Sequence, residues 1–167
     1  MSTPMTTPMS TPSSMAMTAP MTFEPSPVNV RIKISALWAS TMFVIAFVDI
    51  FGLFRADYRA DIEAGEVSGF TIGQSFLLAT TVYVAIPSLM VFLTLVLRPK
   101  VSRIANITLS IVYALTIIGA AIGEWNYYLF ASAIELVLLG TIVWYARTWP
   151  RVASPTALSD RMAPHGV

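Results

Sequence analysis

The sequence predicts an all-α fold, an integral membrane four-helix bundle, and three observations carry that reading. Hydrophobic residues make up 56% of the 167 residues and charged ones only 11%, against about a quarter charged in an average soluble domain. A soluble domain has too few charges here to cover its surface. The apolar residues also gather in four runs, each near the ~20 residues an apolar helix needs to cross a bilayer. Only two charges, Asp49 and Glu135, fall inside those runs.

Residues 1–29 precede the runs and differ from them in composition. Met-Ser-Thr-Pro, Met-Thr-Thr-Pro and Met-Ser-Thr-Pro begin at Met1, Met5 and Met9, and six of the eleven prolines lie in this stretch. Such a segment buries too little to offset its ordering entropy, so it is expected to be a disordered, dispensable tail. It has neither the basic start nor the apolar centre of a secretory signal. Six methionines (Met1, Met5, Met9, Met15, Met17 and Met21) offer thioether ligands of the kind Cu(I) accepts. No Cys or His reinforces them there, so a low-complexity tail is the preferred reading and no cofactor or metal is expected.

The transmembrane domain is expected over 30–150, with spans at about 34–54, 74–97, 104–123 and 127–146. A flexible tail follows over 151–167. The connections are an 18-residue loop from Arg55 to Ile72, a turn from Arg98 to Arg103, and a very short turn at Glu124 to Asn126. Short turns make neighbouring helices antiparallel, which predicts an up-down-up-down order. Pro99 and Pro150 read as helix stops.

Charge placement orients the chain. Arg31, Lys33, Arg98, Lys100, Arg103, Arg147, Arg151 and Arg161 fall on one side, eight of the ten basic residues. Only Arg55 and Arg59 fall on the other, among Asp57, Asp61, Glu63 and Glu66. Basic residues in short loops mark the cytoplasmic side, so both termini are expected to be cytoplasmic. Aromatic residues flank both ends of the fourth span: Trp125, Tyr127 and Tyr128 outside, Trp144, Tyr145 and Trp149 inside. The near-neutral net charge of +1 leaves no basic surface for nucleic acid. The partners expected are the lipid bilayer and a second copy or another membrane protein.

Absent residues narrow the chemistry. There is no cysteine, and the single histidine, His165, lies in the C-terminal tail. Thiol catalysis, Ser–His hydrolysis and haem ligation within the spans are therefore excluded, and the chain reads as a non-enzyme. The acids are the sharpest signal, because an ionisable group in hydrocarbon is costly and marks a functional site by default. Asp49 falls about 8 Å and Glu135 about 12 Å inward from the outer ends of their spans, by the helical rise. Neither has a Lys, Arg or His in a span to pair with, so both are expected to face other helices.

Helical spacing adds a polar interior. Asn106, Ser110, Tyr113, Ile117, Ala120 and Glu124 share one face of the third span; Phe76, Thr80, Tyr83, Pro87, Met90 and Thr94 share one face of the second. Asp49, Glu135, Tyr83 and Tyr113 form the candidate intramembrane polar site, and Tyr128 and Ser132 share the face of Glu135. Interhelical hydrogen bonding that fixes the bundle accounts for such a cluster, at about 0.6–2 kcal/mol per contact. A proton or cation site opening outward is the functional alternative. Pro87 is the candidate helix kink, removing one backbone hydrogen bond near midspan. Gly119 and Gly123 form a small-xxx-small pattern that permits close helix approach. The acidic loop 56–69 reads as solvated and partly helical, with a cation-collecting patch as the alternative.

Leu37-Trp38, Asp49-Ile50, Phe76-Leu77-Leu78, Ile86-Pro87, Met90, Arg103-Ile-Ala-Asn106, Tyr127-Tyr128 and Ile134-Glu135 together resemble an uncharacterised domain-of-unknown-function family. Its members are small bacterial four-helix membrane proteins. The resemblance spans about Arg31 to Trp149 and implies an inner-membrane, multi-pass location without an activity. In span number the chain is also similar to small multidrug resistance transporters, which use an acid in their first helix. It departs from them in placing that acid near the outer end, in adding Glu135, and in its strong charge bias. The expected role is structural or interaction-based; the alternative is a proton-coupled small-solute or cation transporter using Asp49 and Glu135.

Overall fold

The computed structural model describes residues 28–149; the expected tails at 1–29 and 151–167 lie almost wholly outside them. Five helices and one small hairpin follow in order: α1 Val30–Gly52, α2 Ala56–Glu63, β1 Glu66–Val67, β2 Phe70–Thr71, α3 Gln74–Val96, α4 Pro99–Ala120 and α5 Asn126–Arg147. The fold is all-α apart from that hairpin. Helices α1, α3, α4 and α5 are each long and apolar enough to cross a membrane.

The helix starts follow from local chemistry. Asn29 caps α1, its side-chain oxygen accepting from the Arg31 amide at 2.9 Å. The expected turn at 98–103 is shorter than its sequence signals imply, because Pro99 does not end α3 but begins α4. A proline at the first helical position loses no hydrogen bond, since that amide has no intrahelical partner anyway. Gly123, with φ +85°, makes the turn into α5. A side chain at Gly119 or Gly123 meets nothing within 4 Å, so the small-xxx-small pattern brings no helices together among the described residues.

Each long helix buries one stripe. On α1 it is Ile34, Ser35, Trp38, Thr41, Val48 and Gly52. On α4 it is Ser102, Asn106, Ser110, Tyr113 and Ile117, and on α5 Ala131, Ser132, Glu135, Leu139, Ile142 and Ala146. Only Pro87, Met90 and Thr94 are buried on α3, so its first half lies open. Helix α1 packs on α3 and α5, and α5 packs on α4; α3 and α4, although consecutive, touch much less. Across the bundle, Trp38 meets Tyr113 edge-on, with ring centroids 6.0 Å apart.

Basic side chains close one end. The Arg31 guanidinium donates to the Leu95 carbonyl at 2.7 Å and lies 5.5 Å from the Trp149 ring centre. Lys33 sits 5.4 Å from the Tyr145 ring centre, and Arg103 donates to the Arg147 carbonyl at 3.3 Å. Cations at the last turns of α3 and α5 satisfy free carbonyls and favour the negative end of each helix dipole.

Candidate functional site

Two groups of polar side chains are bonded, and two acids are not. Near the Arg31 end, the Trp38 indole donates to the Asn106 Oδ1 at 2.6 Å and Thr94 donates to the same oxygen at 3.2 Å. The Asn106 amide donates in turn to the Ser102 carbonyl at 2.7 Å. One fully buried side chain thus ties α1, α3 and α4 together. Ser110, one turn further along α4, has the one fully buried side-chain oxygen or nitrogen without a hydrogen-bond partner among the described residues.

The second group joins three sequence-predicted candidates. Pro87 has no amide to donate to the carbonyl of Tyr83, four residues earlier. The Tyr113 hydroxyl donates to that carbonyl instead. The two tyrosine rings lie 4.7 Å apart, and the Tyr83 hydroxyl shares a 2.8 Å hydrogen bond with Thr116. Tyr83, Tyr113 and Pro87 therefore form one clamp across the narrow α3–α4 seam, and α3 continues as one helix through the proline. Neighbouring side chains that satisfy freed carbonyls are what make proline tolerable inside a spanning helix.

The acids stand apart from both groups. Glu135 is 5% exposed and makes no side-chain hydrogen bond or ion pair among the described residues. Asp49 is also without either, but it is exposed, contrary to the expectation that it faces other helices. The reason is angular: it follows buried Val48 by one residue, and one residue is a turn of about 100° around the helix. Gly52 lies against Tyr127, so the end of α1 is level with the start of α5. By helical rise Asp49 lies about 5 Å and Glu135 about 14 Å from those ends. The acids therefore lie at distinctly different depths.

Above Asp49 opens a cavity of about 510 Å³, lined by Asp49, Gly52, Arg55, Tyr58, Tyr127 and Tyr128 among others. Glu135 does not line it. The mouth is built from the loop after α1. Val67-Ser68-Gly69-Phe70 makes a two-residue hairpin turn with φ +49° at Ser68 and +80° at Gly69, the pattern of the tight turns that join antiparallel strands. Ser68 and Phe70 also face the cavity.

Arg55 organises the rim, a role its place in the charge count does not announce. It donates to Asp57 at 2.7 Å and to Glu124 at 2.6 Å, and its guanidinium lies 4.4 Å from the Trp125 ring centre. The link to Glu124 pins the loop after α1 to the turn before α5. Hydrogen bonding to Asp57 is the first cause holding the Arg55 guanidinium more firmly protonated than usual. The same bond holds the Asp57 carboxyl below its ordinary value. Burial, and then the Asp49 charge, push the Tyr58 phenol up. The sequence signal for this rim is weak: Glu124-Trp125 and Tyr127-Tyr128 stand together, but Arg55 is 69 residues from Glu124.

Residues 23–155 match the family of unknown function DUF6326, and the chain belongs to that family. No curated protein matches the chain, and no solved structure does.

Proposed function

We propose that this chain is a multi-pass protein of the bacterial inner membrane, up-down-up-down with both termini cytoplasmic, that moves a small solute or cation coupled to protons through Asp49 and Glu135. It is a non-enzyme in this reading. The eight-to-two bias of basic residues supports the orientation, and four long apolar helices support the spanning role. The exposed apolar surface, largest on α3, suits lipid or a second copy.

One observation carries the transport reading: the two acids in the spans make no side-chain hydrogen bond or ion pair among the described residues. A carboxyl kept for stability is bonded, since a buried polar group without a partner costs stability. Glu135 is 5% exposed without such a partner, and the cavity lined by Asp49, at the end of the bundle read here as extracytoplasmic, supports access to the shallower acid. Asn106, Trp38, Tyr83 and Tyr113, by contrast, are engaged in bonds between helices. Those bonds favour the second reading, a structural or interaction role, for the rest of the polar interior.

Proteoliposomes enclosing a pH-sensitive dye separate the two. The wild type is expected to show proton flux on addition of at least one small cation, and folded Asp49→Asn and Glu135→Gln proteins to lack it. Equal flux in all three, for every solute, leaves the structural reading.

A further inference from the structure

We propose that the cavity between the end of α1, the hairpin and the start of α5 binds an organic ammonium cation, with Asp49 as its counter-ion and the Tyr58, Tyr127 and Tyr128 side chains around it. This rests on the transport reading and names its substrate class.

Charge decides the sign of the ligand. Arg55 is the one cation lining the cavity among the described residues, and it is already matched by Asp57 at 2.7 Å, Glu124 at 2.6 Å and the Trp125 ring. An anion finds no free positive group there. Asp49 has no ion pair or hydrogen bond among the described residues and lines the same space. The uncompensated charge of the cavity is therefore negative.

Size and lining decide the chemistry. At about 510 Å³ the cavity falls within the range of small-molecule sites and far exceeds a bare ion. Among the described residues no group of three His, Cys, Asp or Glu side chains is placed to hold a metal. Three tyrosines and Phe70 line the walls instead. Aromatic rings attract organic ammonium groups through their negative faces, and more strongly where water is displaced. Gly52 keeps the space open: a Cβ there would already touch the Tyr58 ring at 3.5 Å and the Tyr127 hydroxyl at 3.7 Å, and a larger side chain would enter the cavity.

Isothermal titration calorimetry tests this with tetramethylammonium chloride as the probe and the full chain in lipid nanodiscs, at constant ionic strength set by sodium chloride. Saturable binding to the wild type is expected. Asp49→Asn is expected to weaken it by at least about tenfold, while Asp49→Glu retains it. Tyr128→Leu is expected to weaken it about 2- to 30-fold, the value of one cation–ring contact. Circular dichroism confirms that each variant is folded. No saturable heat, sodium binding as tight as tetramethylammonium, or an unchanged affinity in folded Asp49→Asn overturns the proposal. Tetramethylammonium binding without proton flux defeats the transport reading alone. Proton flux driven by a solute that tetramethylammonium does not displace defeats the ligand assignment alone.

Discussion

Replacing Tyr113 by Phe removes one hydroxyl and leaves the ring, yet it strands the Tyr83 carbonyl in the part-buried α3–α4 seam. That carbonyl has no amide donor because the residue four positions on is Pro87, and its bond comes from Tyr113 on another helix. Hydrogen bonds between membrane helices average about 0.6 kcal/mol and reach about 1.7; a buried group left without a partner costs about 1–3 kcal/mol. The α3–α4 seam offers little else at this level beyond the Tyr83–Thr116 bond, so Tyr113→Phe is expected to cost about 1–2 kcal/mol. In a Pro87→Ala background the new amide supplies the missing donor, and the same Tyr113→Phe change is expected to cost less than about 0.5 kcal/mol. The four proteins form a double-mutant cycle, which isolates the coupling from the separate effect of losing the proline. Unfolding by sodium dodecyl sulfate in mixed micelles, followed by helical circular dichroism, measures it. An equal loss in both backgrounds assigns the value of Tyr113 to ring packing instead.

Asn106→Ala is expected to destabilise the bundle by about 1–3 kcal/mol in the same assay, since it breaks the bonds from Trp38 and Thr94. Ser110→Ala, one turn away, removes a hydroxyl that bonds to nothing and is expected to be neutral or slightly stabilising. Gly52→Leu is expected to weaken tetramethylammonium binding, because Gly52 lines the cavity and a Cβ there already touches the Tyr58 ring at 3.5 Å; circular dichroism confirms that the variant is folded. Asp57 is held low by Arg55, so its contribution to loop order is complete above the ordinary carboxyl value near ~3.9 and is lost only as pH falls through its depressed folded value. Carbon-13 NMR is expected to place the Asp57 midpoint below that ordinary value, and Arg55→Gln to return it upward; a midpoint insensitive to Arg55 contradicts the assignment.

The interior was legible where polar residues recur at helical spacing against an apolar background. Asn106, Ser110, Tyr113 and Ile117 share a face by arithmetic alone, and they are the buried stripe of α4. Asp49 was less legible, because one residue separates a side chain on the seam from one at its edge. Pro99 carries two meanings, helix stop and first helical position, and only the short distance between α3 and α4 chooses the second. The hairpin turn rests on two residues, Ser68 and Gly69, inside a loop whose acids dominate its composition. Contacts distant in sequence left no local trace: nothing near Arg55 announces Glu124, and nothing near Pro87 announces that a hydroxyl on α4 completes its helix.

In the proposed transporter, Glu135 serves function at the expense of stability. The unfolding free energy of Glu135→Leu tests it most directly, because leucine fills similar volume without a polar group to desolvate. The expected bundle is as stable as the wild type or more so, as where an active group is retained against its own stability cost. A clear loss of stability contradicts it and makes Glu135 a structural residue.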